Sequence, residues 1–133
     1  MINLNDWLKS YENLQPMGIN SSVNVIGVCK KVFGARALYA EVEICFTESK
    51  DLKFNSMLPG IENQQAYDEG WLKGVYLGVL DVMLVRPLVP ITVFTCTVNT
   101  IRFHEIDSSA QAFRVAGRYA AERFLEQEKF VVI

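Results

Sequence analysis

Residues 103–117, FHEIDSSAQAFRVAG, set the chain's single histidine, two acids, two serines and an arginine against the start of an apolar run. The serines mark where a helix begins. Ser108 stands three residues before Gln111, a capping-box spacing in which the serine oxygen takes a first-turn N–H and the glutamine reaches back. Asp107 lies at the positive end of the helix dipole. Behind them Ala112, Phe113, Ala116, Ala120 and Phe124 form a narrow apolar stripe, and Gly117 permits a close neighbour. A helix is therefore predicted over residues 108–127. Capping accounts for Asp107, Ser108, Ser109 and Gln111, and leaves His104, Glu105, Arg114 and Arg118 unexplained.

Outward from this stretch, the preceding ITVFTCTVNTIRF is rich in strand formers, and Pro87 and Pro90 separate it from a long helix predicted over residues 64–85. The second half of that helix, WLKGVYLGVLDVMLV, is interrupted only by Lys73 and Asp81, which marks a core helix under a sheet. Residues 23–33 and 38–46 read as strands joined near FGARA. Tyr39, Glu41, Glu43 and Cys45 alternate there with Leu38, Ala40, Val42, Ile44 and Phe46. Residues 52–57 suggest a third strand, closed by Pro59 and Gly60. At the start, Ile2, Leu4, Trp7, Leu8, Tyr11 and Leu14 follow helical spacing, with Asn3 as N-cap and Pro16 and Gly18 as the stop. The organisation expected is an amphipathic helix over residues 1–18 and one domain over residues 19–133.

Composition narrows the function classes. With 133 residues, half of them hydrophobic, the chain can bury a core without disulfides or metals. Thirteen basic residues stand against fifteen acidic ones, so any nucleic-acid contact requires a local basic patch. Cys29, Cys45 and Cys96 are widely spaced and lack a CxxC pair, which points to free, mostly buried thiols and away from zinc. The opening has no basic region followed by an apolar segment of the secretory kind, and no stretch is long and apolar enough for a bilayer, so a cytoplasmic protein without membrane contact is expected. No G-x-x-x-x-G-K-[ST] loop occurs, so neither GTP nor another cofactor is expected.

The segment FHEIDSSAQAFRVAGRYA closely resembles the HEVDSS segment and following AFKIAG helix of domain IV of bacterial translation elongation factor G. Upstream, GARALYAEVEI resembles that domain's GGRGQYGHVKI, with Gly34, Arg36, Tyr39 and Val42 in register. WLKGV, RPLVP and KFVVI fall where the family has its KGI helix, a helix-to-strand turn and the domain's end. The resemblance spans roughly residues 24–133. It implies an α+β fold, a βββαβα two-layer sandwich with a left-handed βαβ crossover, to which this chain would add its N-terminal helix. It also implies a stand-alone, divergent copy of a domain whose two tip loops enter the decoding centre of the ribosome. Arg36 and His104 fall on those loops. The family's further glycines are replaced by Ala35, Ala37 and Ala40, and its DGS turn by Thr100, Ile101 and Arg102, so both tips are altered.

A non-enzymatic, translation-linked RNA- or ribosome-binding domain follows from the resemblance, with Arg36, Arg102, His104, Arg114 and Arg118 as the candidate phosphate contacts. Arg114 and Arg118, one helical turn apart, share a face. The alternative is a protein-interaction or scaffold domain that kept the fold and lost RNA binding. A catalytic His104 is disfavoured, because in a strand it and Glu105 point to opposite faces and Ser108 is committed to capping. The N-terminal segment leaves a sheet edge in need of cover, supplied either by the amphipathic helix folding over neighbouring apolar surface through Trp7, Leu8 and Tyr11 or by a second chain. Of the two, a homodimer is the favoured expectation.

Overall fold

The alternation read in residues 38–46 is the two-sidedness of a strand: Ala40, Val42, Ile44 and Phe46 are fully buried, and the residues between them are partly exposed. The structure, a computed structural model, describes residues 17–19, 22–34, 36–87, 89–127 and 131–132. In chain order these form β1 (Met17–Gly18), β2 (Val23–Phe33), β3 (Arg36–Thr47), β4 (Lys53–Ser56), α1 (Gly60–Asp68), α2 (Trp71–Met83), β5 (Ile91–Val93), β6 (Thr95–Arg102), α3 (Ala110–Gln127) and β7 (Val131–Val132).

The main sheet has the strand order β2-β3-β6-β4. β2 and β3 form an antiparallel hairpin, β6 pairs antiparallel with β3, and β4 lies parallel to β6. Parallel neighbours cannot be joined by a tight turn, so the chain crosses over between β4 and β6, and α1 and α2 are that crossover. The short strands β5, β1 and β7 make a second sheet in the order β5-β1-β7. The expected βββαβα sequence of elements is present as an α+β fold, with its first helix divided in two.

That division corrects the single helix predicted over residues 64–85. Gly70 adopts the left-handed conformation, φ +76°, which glycine reaches at little steric cost, and the chain turns there. The break lets a mostly exposed, polar α1 lie outside while the apolar α2 turns eight residues into the core. The N-terminal helix predicted over residues 1–18 falls, for residues 1–16, outside the described residues. Its last two residues are strand: Met17 and Gly18 pair with β5 and β7, a tertiary partnership that helical periodicity does not register.

The core lies between the main sheet and the layer formed by α2 and α3. Phe46 of β3 meets Phe124 of α3 at a ring-centroid distance of 4.8 Å and Phe94 at 5.9 Å. Among the described residues, no polar or charged residue is buried. The two helices run in the same direction, as successive contacts show: Gly74 sits against Ala110, Gly78 against Arg114, and Arg86 bonds Glu122. Their backbones touch. A Cβ placed at Gly78 would lie 2.0 Å from the carbonyl oxygen of Arg114, and one at Gly27 of β2 would lie 1.9 Å from that of Ala116. Glycine at these positions is what allows α3 to press against a helix on one side and a strand on another. The three cysteines are free thiols; Cys29 and Cys96 are buried, and burial pushes both thiols up.

Candidate nucleic-acid interface

One end of the main sheet carries the β2–β3 turn, and the β6–α3 loop arrives beside it. The turn is tight: Phe33 pairs with Arg36, and Gly34 takes φ +59°, a conformation that favours glycine. Immediately before it, Lys30 lies across from Tyr39 and Lys31 across from Leu38. β6 ends at Arg102, and residues 103–109 lead into α3.

Two neighbouring serines divide the work of this loop. Ser109 is the N-cap of α3, its Oγ accepting the N–H of Ala112 at 3.1 Å, while Phe113 donates to the Ser109 carbonyl at 3.0 Å. This shifts the predicted cap by one residue. Ser108 instead ties the loop to β3: its hydroxyl donates to the Tyr39 carbonyl at 2.7 Å and accepts the His104 N–H at 2.9 Å. The Tyr39 N–H donates in turn to the Asp107 carbonyl at 3.1 Å. The strand-end backbone groups of β3 are thereby satisfied by the loop, which holds hairpin and loop as one unit.

Between them lies a cleft of about 240 Å³ lined by Lys30, Lys31, Val32, Ala37, Leu38, Tyr39, Phe103, His104 and Asp107. Phe103 is braced from behind by Trp71 at 4.8 Å, and Trp71 stacks on Phe113 at 5.1 Å, so the core supports the cleft. His104 faces Asp107, Nδ1 to Oδ2 3.5 Å, a contact that becomes an ion pair when the imidazole is protonated. Ile106 and Val32 are 86% and 75% exposed.

The five predicted contact residues divide into groups. Arg36 opens β3 at the hairpin turn, with its side chain outside the described residues. His104 lines the cleft, and Arg102, at the end of β6, is exposed and pairs with Glu41 across the strands at 3.2 Å. Arg114 and Arg118 do share a face, but that face is turned to α2. Arg114 grips Asp81 with two bonds, Nε at 2.8 Å and a terminal nitrogen at 2.9 Å, and Arg118 Nε reaches the same carboxylate at 2.8 Å. Hydrogen bonds from Arg114, ahead of those from Arg118, hold the Asp81 carboxyl down to about 2. Two guanidiniums on one carboxylate leave a local surplus of one positive charge, partly exposed.

Lys30 and Lys31 were missed as candidates. The signal was present, as adjacent lysines four and three residues before the turn glycine, in a chain whose overall charge is negative. Lys31 also stands 6.0 Å above the ring of Tyr119, which steadies its position. Among the described residues no group of three or more His, Cys, Asp and Glu side chains is arranged to hold a metal ion, and no helix is long and apolar enough to cross a membrane.

Comparison with known proteins places this architecture. Elongation factor G of Jannaschia sp. (strain CCS1) is 33% identical over 94 residues, covering 67% of this chain and 13% of that protein. A crystal structure of a protein from Thermus thermophilus superposes with a TM-score of 0.74 at 20% identity, covering 87% of this chain and 17% of that one, a likeness of fold. The chain thus spans less than a fifth of the length of either relative. The family description "Elongation factor G, domain IV" matches residues 18–128, and the chain belongs to that family.

Proposed function

We propose that this domain is a non-enzymatic RNA- or ribosome-contacting module linked to translation, acting through the tip formed by the β2–β3 hairpin and the β6–α3 loop. The observation that carries the reading is the Ser108 tie: it holds His104 and its loop against β3, beside Lys30 and Lys31. A preorganised basic tip binds phosphates without first paying to order a loop. Membership of a translation-factor family supports the same reading. Arg36 and the uncompensated charge at Arg114 and Arg118 would add longer-range attraction, whereas Arg102 is neutralised by Glu41. No GTP binding belongs to this function, since the chain has no phosphate-binding loop. Ribosome co-sedimentation at low and moderate salt tests the proposal. Salt-sensitive association that weakens in Lys30→Ala/Lys31→Ala is expected, and no association even at low salt overturns it.

A second reading, a protein-interaction domain assembled as a homodimer, draws on two observations. Three of the predicted cations, Arg102, Arg114 and Arg118, already hold carboxylates of their own chain. β2, with 11 residues, is an edge strand of the main sheet among the described residues. A long edge strand is a template for pairing with a second chain. Light scattering over a range of concentrations separates the two: a dimer without ribosome association favours this reading, and a monomer removes it.

A further inference from the structure

We propose that residues 1–16, which lie outside the described residues, dock as an amphipathic helix along the outer face of α2. This goes beyond the RNA-contacting reading and does not depend on it. In α2, WLKGVYLGVLDVM, only Lys73 and Asp81 are charged. Its inner side packs into the core, and Asp81 turns toward α3 to hold Arg114 and Arg118. The remaining side carries Lys73, Leu77, Leu80 and Leu84, which helical spacing sets on one face. Leu77 and Leu84 are 36% and 41% exposed, so no described element seals that face. Leucines at i, i+3 and i+7 form the seam that one helix offers to another.

Three observations name the occupant. The first is where the segment joins the fold. Met17 lies in β1, between β5, which follows α2, and β7, which follows α3. Phe94, just after β5, packs with Phe124 around Phe46 near the end of α3, so residue 16 leaves the fold where both helices finish, on the side of Leu84. The second is length and pattern. Residues 2–14 would make a helix of about 20 Å, the length of α2, and Leu4, Trp7, Leu8, Tyr11 and Leu14 recur on one face of it. The third is charge. The segment carries Asp6 and Glu12 against Lys9, while the surface beside the seam carries Lys73 and the surplus positive charge of Arg114 and Arg118.

The test uses the full chain. Acrylamide quenching should find Trp7 protected, with Trp7→Phe separating its emission from that of the buried Trp71. Leu77→Glu/Leu84→Glu should open Trp7 to the quencher and move its emission to the red, with near-native circular dichroism. Asp6→Lys/Glu12→Lys should release Trp7 in part, and Lys9→Glu should not. Leu77→Ala should lower the melting temperature by roughly 4 °C in the wild type and by much less once Trp7→Ser has undocked the segment. A Trp7 as accessible as free tryptophan in the wild type, or equal losses from Leu77→Ala in both backgrounds, overturns the proposal. Protection that vanishes on dilution as a dimer dissociates, followed by light scattering, overturns docking within one chain and assigns the seam to a second copy.

Discussion

Replacing Gly78 with alanine should drive α2 and α3 apart. The new Cβ would lie 2.0 Å from the Arg114 carbonyl oxygen, 2.9 Å from its carbon and 3.0 Å from the Arg118 nitrogen, all of them backbone atoms that no rotamer change can move. Clearing them requires a helix displacement of roughly 1 Å in a close-packed layer, and overpacking of this kind costs about 1–3 kcal/mol. The same displacement stretches the bonds from Arg114 and Arg118 to Asp81, worth about another 1 kcal/mol. Against this stands the gain in helix propensity from glycine to alanine, about 1 kcal/mol. The net expectation is a loss of about 2 kcal/mol, or a melting temperature lowered by about 8 °C for a domain of this size. Gly60→Ala is the control, because its Cβ would meet nothing within 4 Å, and it should be neutral or slightly stabilising. Urea unfolding followed by far-UV circular dichroism measures both. A Gly78→Ala protein as stable as the wild type would refute the backbone-to-backbone packing of the two helices.

Asp81→Asn should cost about 1 kcal/mol at neutral pH, because the shift of its carboxyl to about 2 is worth at most roughly 2 kcal/mol and screening of the half-exposed guanidiniums reduces it. Since the folded carboxyl titrates below the unfolded one, this contribution is present above about pH 4 and is lost as pH falls toward 2, so wild type and variant should converge in acid. Denaturation midpoints measured across that range check the convergence. Ser109→Ala should lose about 1 kcal/mol of stability with RNA affinity unchanged, whereas Ser108→Ala should lose a similar amount and weaken RNA binding by freeing the loop; equal binding by the two variants would count against a preorganised tip. Cys29 and Cys96 should resist alkylation until the protein unfolds, which mass spectrometry of iodoacetamide-treated native protein would show.

What residues 103–117 determined by themselves was local. The apolar stripe, the serines and the acid ahead of it specified a helix start to within two residues, because capping and periodicity are satisfied within a turn or two of chain. The buried face of β3 was likewise legible, as strand alternation is a property of consecutive residues. Which serine would cap was not, since both offer the same hydroxyl. The carbonyl of Tyr39, 69 residues from Ser108, recruited one and left the other to α3. The arginines followed the same division. Their shared face could be counted from a spacing of four, but the carboxylate that holds them comes from Asp81, 33 and 37 residues earlier, brought there by glycines that let two helices touch. Charge on a helix face is written in the sequence, whereas its compensation is decided by the register between elements, which only tertiary packing sets.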